Sequence, residues 1–221
     1  MKDWAIIFDV DGVLLKLTRA EEELFFQPFA KRIDAAILSR DWNSYAIRND
    51  EDIVREIVER YGLPISEAAI ITAEYLALLE RELNGSLKTE TITDAAKLID
   101  EFAEVAKLGI ATANFREAAR LRLQQAAMWL PVSELAFGAD GGGHKSAILA
   151  RAIAAIGLPK SHIIFIGDNV NDVCAGLDND VHFIGFSGDA ARREKLALTG
   201  AKRLASHHDE TRAMIRQILN A

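Results

Sequence analysis

A short apolar run, Trp4-Ala-Ile-Ile-Phe8, stops abruptly at two carboxylates two positions apart, Asp9 and Asp11, and then a glycine, Gly12. Residues 5–7 are apolar on both faces of an extended chain. Such a strand is buried on both sides, which is the situation of a parallel sheet covered by helices. In an extended chain, residues i and i+2 point to the same side, roughly 6–7 Å apart. A small electrophile such as a phosphorus atom fits between them. A turn alone needs only Asp11-Gly12, so the second acid points to chemistry.

Beyond this strand the hydrophobic pattern changes twice. From about residue 18 to 83 it is helical, with Leu24, Phe25, Phe29, Ile33, Ile37 and Leu38 recurring at threes and fours, and then Ile53, Val54, Ile57, Val58 and Tyr61. Tyr61-Gly-Leu-Pro64 interrupts the pattern, Ser66 is placed to cap a further helix through Leu83, and Asn84-Gly85 closes the block. From about residue 93 strands and helices alternate. Helices are expected from Thr93 or Asp94 to Lys107, from Asn114 to Met128, from Lys145 to Ile156 and from Asp172 to Leu177. Strands are expected at 108–112, 135–137, 163–166 and 181–184. This alternation predicts an α/β, Rossmann-like parallel sheet with right-handed crossovers. The first strand must join that sheet, so the helical block is an insertion. The expected division is a core of residues 1–16 and 89–221 and an all-helical unit of residues 17–88.

Composition narrows the function. The 221 residues carry a formal net charge of −7 and a pI near 5.3, with no dense Lys/Arg track for nucleic acid. No run of about 18 apolar residues offers a membrane span. No basic segment followed by an apolar stretch opens the sequence, and a single cysteine, Cys174, rules out an intrachain disulfide. The expected setting is the cytoplasm. An anionic ligand would be attracted by local groups, because the global field opposes it.

Ligands of open α/β sheets bind beyond the carboxyl ends of the strands. By that rule Asp9, Thr112, Lys145 (after the Gly-rich loop 141–143) and Gly167-Asp168 converge on one edge. Asp172, four residues after Asp168, shares its face if a helix has begun.

Asp9-Val-Asp11-Gly12, Thr112, Lys145 and Gly167-Asp168-Asn-Val-Asn-Asp172 resemble, in order and spacing, the four signature motifs of the haloacid dehalogenase superfamily. The helical insertion resembles that superfamily's mobile helical cap. The overall pattern, including Leu196-Ala-Leu-Thr-Gly200-Ala201, is most similar to the phosphoglycolate phosphatase-like branch. The resemblance implies a Mg²⁺-dependent phosphoryl transferase with an aspartyl-phosphate intermediate, acting on a small-molecule phosphate ester as a monomer or homodimer. It implies Asp9 as nucleophile and Asp11 as general acid and base, its backbone carbonyl also touching the metal. Asp168 binds the metal with Asp9, and Asp172 is a ligand, a support holding Lys145, or a helix cap. Thr112 and the N–H of Ala113 meet the phosphoryl oxygens, and Lys145 neutralises developing charge. Asn114 is read first as an N-cap with Glu117 as capping-box partner, and second as a substrate contact. The branch commonly carries an acid followed by serine where this chain has Lys16 and Leu17, a difference that bears on which ester is used.

Two alternatives share these residues: a phosphomutase of the β-phosphoglucomutase kind, and a catalytically silent binding protein on the same fold. Dehalogenation fits poorly, because that branch lacks the second acid and glycine. Phosphonate hydrolysis would require a lysine in the helical block, where only Lys31 stands deep enough. His207-His208 reads as a polar helix start, His144 as a marginal neighbour of the site, and Cys174 as a small buried hydrophobe.

Overall fold

The computed structural model describes residues 2–34 and 36–220. Six parallel strands form one sheet: β1 (Ala5–Phe8), β2 (Lys107–Ala111), β3 (Ala136–Phe137), β4 (Ile163–Gly167), β5 (His182–Phe186) and β6 (Leu204–Ala205), in the order β3-β2-β1-β4-β5-β6. β1 is therefore central. It pairs with β2 from Ala5↔Lys107 to Phe8↔Ile110 and with β4 from Ala5↔Ile163 to Phe8↔Ile166.

The period of two in β1 divides the core. Ile6 and Phe8 enter one apolar cluster with Ile110, Ile164 and Ile166, covered by α4 (Ala95–Phe102), α5 (Arg116–Gln125) and α9 (His208–Leu219). Ala5 and Ile7 enter another, covered by α6 (Lys145–Ile156), α7 (Val170–Asp178) and α8 (Ala190–Thr199). Burying one such Ile or Phe side chain contributes about 1.5–3 kcal/mol.

The inserted block contains α1 (Arg19–Phe26), α2 (Asp50–Arg60) and α3 (Glu67–Asn84), and its Phe25, Phe26, Phe29, Ile57, Ile71 and Leu79 form an apolar cluster completed by Phe115 and Ala118 at α5. A capping box between Thr18 and Glu21 starts α1. Three acids lie in the first turn of α2 and Arg60 in its last, matching the helix dipole. The two connections to the core run side by side: Lys16 N–H donates to the Glu90 carbonyl at 2.8 Å and Ile92 N–H to Leu14 at 2.9 Å.

Several expectations need correction. Among the described residues of 27–49 there are only two short 3-10 turns, at 29–31 and 42–44, instead of continuous helix, and Ile37 is 60% exposed. Ser66 has helical dihedrals and makes no capping bond, so α3 starts without it. α4 ends at Phe102, and β2 begins at Lys107, where pairing with β1 claims the backbone. Cys174 is exposed. His208 starts α9 as a buried side chain, stacked on Phe186 with Nε2 2.9 Å from the Val13 carbonyl. Among the described residues no helix is long and apolar enough to cross a membrane.

Candidate active site

The pairing that buries β1 also places Asp9, whose N–H donates to the Ile166 carbonyl of β4 at 2.8 Å. β4 runs one residue further and delivers Asp168. Asp172 follows in the first turn of α7, where its Oδ2 accepts the Asp168 and Asn169 N–H groups at 3.2 and 3.0 Å. One carboxylate oxygen from each of Asp9, Asp168 and Asp172 lies within 4.8 Å of the others. Lys145, the first residue of α6, places Nζ 2.8 Å from Asp9 Oδ1 and 2.8 Å from Asp172 Oδ1. A cation at a helix N-terminus opposes the dipole, and here two buried carboxylates offset that cost. Gly12 lets the loop after β1 pass: its φ is +80°, and a Cβ there would lie 2.2 Å from Asp168 Oδ2.

Burial pushes the Asp9 carboxyl well above the usual range. Lys145 pulls it back, while Asp172 and Asp168 push it further up. Burial likewise raises Asp168 to about 6, reinforced by Asp172 and opposed by Arg192, which pairs with it. Burial alone would lower the Lys145 ammonium, but Asp172 and Asp9 together hold it above its ordinary value. The cluster carries more negative than positive charge and suits a cation.

At the end of β2, Thr112 is buried. Its hydroxyl donates to Asn114 Oδ1 and accepts from the Asn114 N–H, both at 3.2 Å. Ala113 and Asn114, not Thr112, line the cavity above the acids. Asn114 does not cap α5. The N–H groups of Phe115 and Arg116 are taken instead by Asp50 Oδ2 and Asp140 Oδ2, each at 2.7 Å.

Asp50 comes from the inserted block, and its neighbours also reach the core loops. Asp50 N–H donates to the Ala113 carbonyl at 2.9 Å. Asn49 Nδ2 donates to Gly143 O at 2.8 Å, and Arg48 Nη2 donates to Asn169 Oδ1 at 3.2 Å. Glu51 accepts the Gly141 N–H at 2.6 Å and Asp52 the Gly143 N–H at 2.7 Å, so the glycine loop before Lys145 is pinned.

Burial pushes the Asp50 carboxyl from 3.8 up to about 7, against the pull of the Phe115 N–H. Between those two values the folded chain keeps a proton that the unfolded chain has released, so stability falls as pH rises through that window. Asp50→Asn keeps an oxygen for the Phe115 N–H. It is expected to be more stable than wild type above pH 7 by on the order of 2–4 kcal/mol and unchanged below pH 4. Urea denaturation at pH 4 and pH 8 checks this, and an equal gain at both counts against it.

The cavity has a volume of about 950 Å³. Of the residues singled out in the sequence, Asp9, Asp11, Ala113, Asn114, Lys145, Asp168 and Asp172 line it. His144 does not. Lys31 pairs with Glu74 at 2.9 Å in an exposed contact outside it. Lys16 reaches the rim and pairs with Glu90 at 3.1 Å, both exposed. Sequence reading missed Arg48, Asp50, Arg122 and Arg192, all of which line the cavity. The available signal was position: Asp50 and Arg122 fall on the apolar stripes of α2 and α5, where a charge must have a partner.

A predicted phosphatase of Clostridium acetobutylicum has the same fold, with a TM-score of 0.72 and 18% identity over 98% of this chain and 100% of that one. A haloacid dehalogenase family hydrolase from Deinococcus radiodurans, with bound phosphate and sodium, aligns with a TM-score of 0.61 and 19% identity over 99% and 97%. A proposed beta-phosphoglucomutase of Bacteroides vulgatus gives 0.71 and 16% over 98% and 89%. No curated protein matches the sequence. The family model for haloacid dehalogenase-like hydrolases matches residues 5–179, from β1 through α7 and therefore through all three clustered carboxylates. With that match and a sheet that brings those acids to Lys145, the chain belongs to the haloacid dehalogenase-like hydrolases.

Proposed function

We propose that this hydrolase is a Mg²⁺-dependent phosphatase that cleaves a small organic phosphate monoester through a phosphate carried on Asp9. The observation that supports it most is the buried cluster of Asp9, Asp168 and Asp172, with Lys145 Nζ bridging Asp9 and Asp172, beside the carboxyl ends of the two central strands. The donor set is hard oxygen, as Mg²⁺ prefers. Asp9, Asp168 and the Asp11 carbonyl would hold the ion. Both oxygens of Asp172 are already engaged, which suits a buttress for Lys145 and the Asp168 loop. When bound, Mg²⁺ offsets the charge that an anionic ester brings to an acidic site.

The residues then divide the work. Asp9 attacks phosphorus in line, the P–O bond to the alcohol breaks, and Asp11 gives its proton to the departing oxygen. Water next attacks the phosphorus, returning that proton to Asp11 and releasing Asp9. Lys145 and the Ala113 N–H face the phosphoryl oxygens, while the Asn114 N–H is held by the Thr112 hydroxyl. Residues 17–88 act as the cap that encloses the ester, with Phe25, Trp42, Tyr75 and Arg48 above the acids.

Release of p-nitrophenol from p-nitrophenyl phosphate is expected with Mg²⁺ and is expected to fall to background with a chelator. A panel of phosphorylated metabolites then ranks the esters. No turnover of any of them with Mg²⁺ present overturns this reading. Arg48 favours one second reading, a phosphomutase, because it offers a cation on the cap side of the cavity for another anionic group. Conversion of a sugar phosphate to its isomer without release of inorganic phosphate would establish that reading instead.

A further inference from the structure

Arg122 is the largest fully buried side chain among the described residues. Its guanidinium joins four segments. Nε donates to Glu21 Oε1 at 2.7 Å, and Nη2 donates to Asp11 Oδ1 at 2.7 Å and to the Lys16 carbonyl at 3.1 Å. Nη1 faces Asn114 Oδ1 at 3.4 Å. Glu21, equally buried, turns its other oxygen to the Thr18 N–H at 2.8 Å and hydroxyl at 2.7 Å, which completes the cap of α1. One cation therefore ties the loop after β1, the hinge peptide at Lys16 that joins the core to the inserted block, the first turn of α1 and the loop after β2.

Folding alone does not demand this arrangement. Glu21 is enough to neutralise Arg122, and Asp11, with its side chain 23% exposed at the cavity, could be solvated instead. Arg122 takes only Oδ1 of Asp11. Among the described residues nothing donates to Oδ2, which leaves that oxygen to carry a proton out and back.

We propose that Arg122 is a positioning residue that aims Asp11 Oδ2 at the ester oxygen and makes this aim depend on the seating of the hinge and α1. The inference rests on the phosphatase reading above. Breaking of the P–O bond leaves an electron pair on the ester oxygen, and the proton from Oδ2 satisfies it. An ester whose alcohol leaves readily as an anion needs that proton least.

The test compares kcat/KM for phenyl phosphate and p-nitrophenyl phosphate, both with Mg²⁺. Arg122→Met is expected to lower the first by roughly 10²-fold and the second by about tenfold or less, since misaimed proton transfer falls on the poorer leaving group. Arg122→Lys should recover part of the phenyl phosphate rate. Because Arg122→Met buries the Glu21 charge without a counter-ion, the same measurement is made on Glu21→Gln/Arg122→Met, which leaves no such charge. Equal losses on both esters, or none, overturn the proposal. If the wild type hydrolyses neither ester, the phosphatase reading has failed and amide hydrogen exchange decides the linkage. Leu15 and Lys16 N–H are hydrogen-bonded at 2.9 and 2.8 Å, and their exchange should quicken about tenfold or more in the double variant. Unchanged exchange there overturns the proposal independently of activity.

Discussion

Asp9→Asn is expected to abolish turnover, lowering kcat by roughly 10⁴-fold or more, the scale at which enzymes lose activity when a covalent nucleophile is removed. An amide oxygen attacks phosphorus too weakly to replace a carboxylate. The loss is expected without unfolding. Asparagine keeps an oxygen where Asp9 Oδ1 accepts the Val10 N–H at 2.7 Å and Lys145 Nζ at 2.8 Å, and Asp172 still neutralises the ammonium. Burial also disfavours an ionised Asp9, so the variant should melt at or slightly above the wild-type temperature. Steady-state assays beside a thermal melt check both halves. Activity equal to wild type would falsify the mechanism, and a collapsed melt would make Asp9 a folding residue.

Lys145→Met tests the charge balance from the other side. Its removal leaves Asp9, Asp168 and Asp172 clustered and buried with only the more exposed Arg192 as counter-ion. Breaking a buried pair from one side costs about 3–5 kcal/mol. The loss should be larger at pH 8 than at pH 5, because acid lets the stranded carboxylates take up protons and discharge. Mg²⁺ should restore part of the stability by binding the folded chain. Turnover should fall roughly 10²–10³-fold from lost stabilisation of the transferring phosphoryl group. Urea titrations at the two pH values, with and without the ion, measure these effects. Equal stability of variant and wild type at pH 8 is the outcome that sinks the argument.

The parts of this site that the sequence disclosed are those tied to strand ends. Asp9 and Asp168 follow apolar runs that can only be buried strands, and the βαβ rule then puts them on one edge. Asp172 followed from helical spacing after Asp168. Thr112 was legible as a hydroxyl at a strand end, but the rotamer that turns it towards Asn114 depends on local packing, which spacing does not encode. The irregular stretch at 27–49 was misread because apolar residues at threes and fours also arise where turns tuck side chains into a core, as Phe29, Ile33 and Leu38 do. Arg122 was hidden in Arg116-Glu-Ala-Ala-Arg120-Leu-Arg122, where Arg116 and Arg120 are surface arginines of the same helix. Only its spacing from Ala118 and Ala119 separates it from them. Asp50 looked like one of three ordinary helix-start acids, and its partners, Ala113 and Phe115, are more than sixty positions away.

The position of β1 in the sheet bears on how the protein would age under heat. Asp9 grows from a strand bonded along both edges, and Asp168 from its immediate neighbour. Such central ladders open only in global unfolding. The segment 48–52 is joined to the core by hydrogen bonds to loop backbone and to Asn169, and the block it belongs to packs through one apolar cluster onto Phe115 and Ala118 at α5. Contacts of that kind open at lower cost than a sheet. On the phosphatase reading proposed above, a warmed enzyme is therefore expected to lose its discrimination between esters before its capacity to cleave them, so that promiscuity would mark the early stage of its decay.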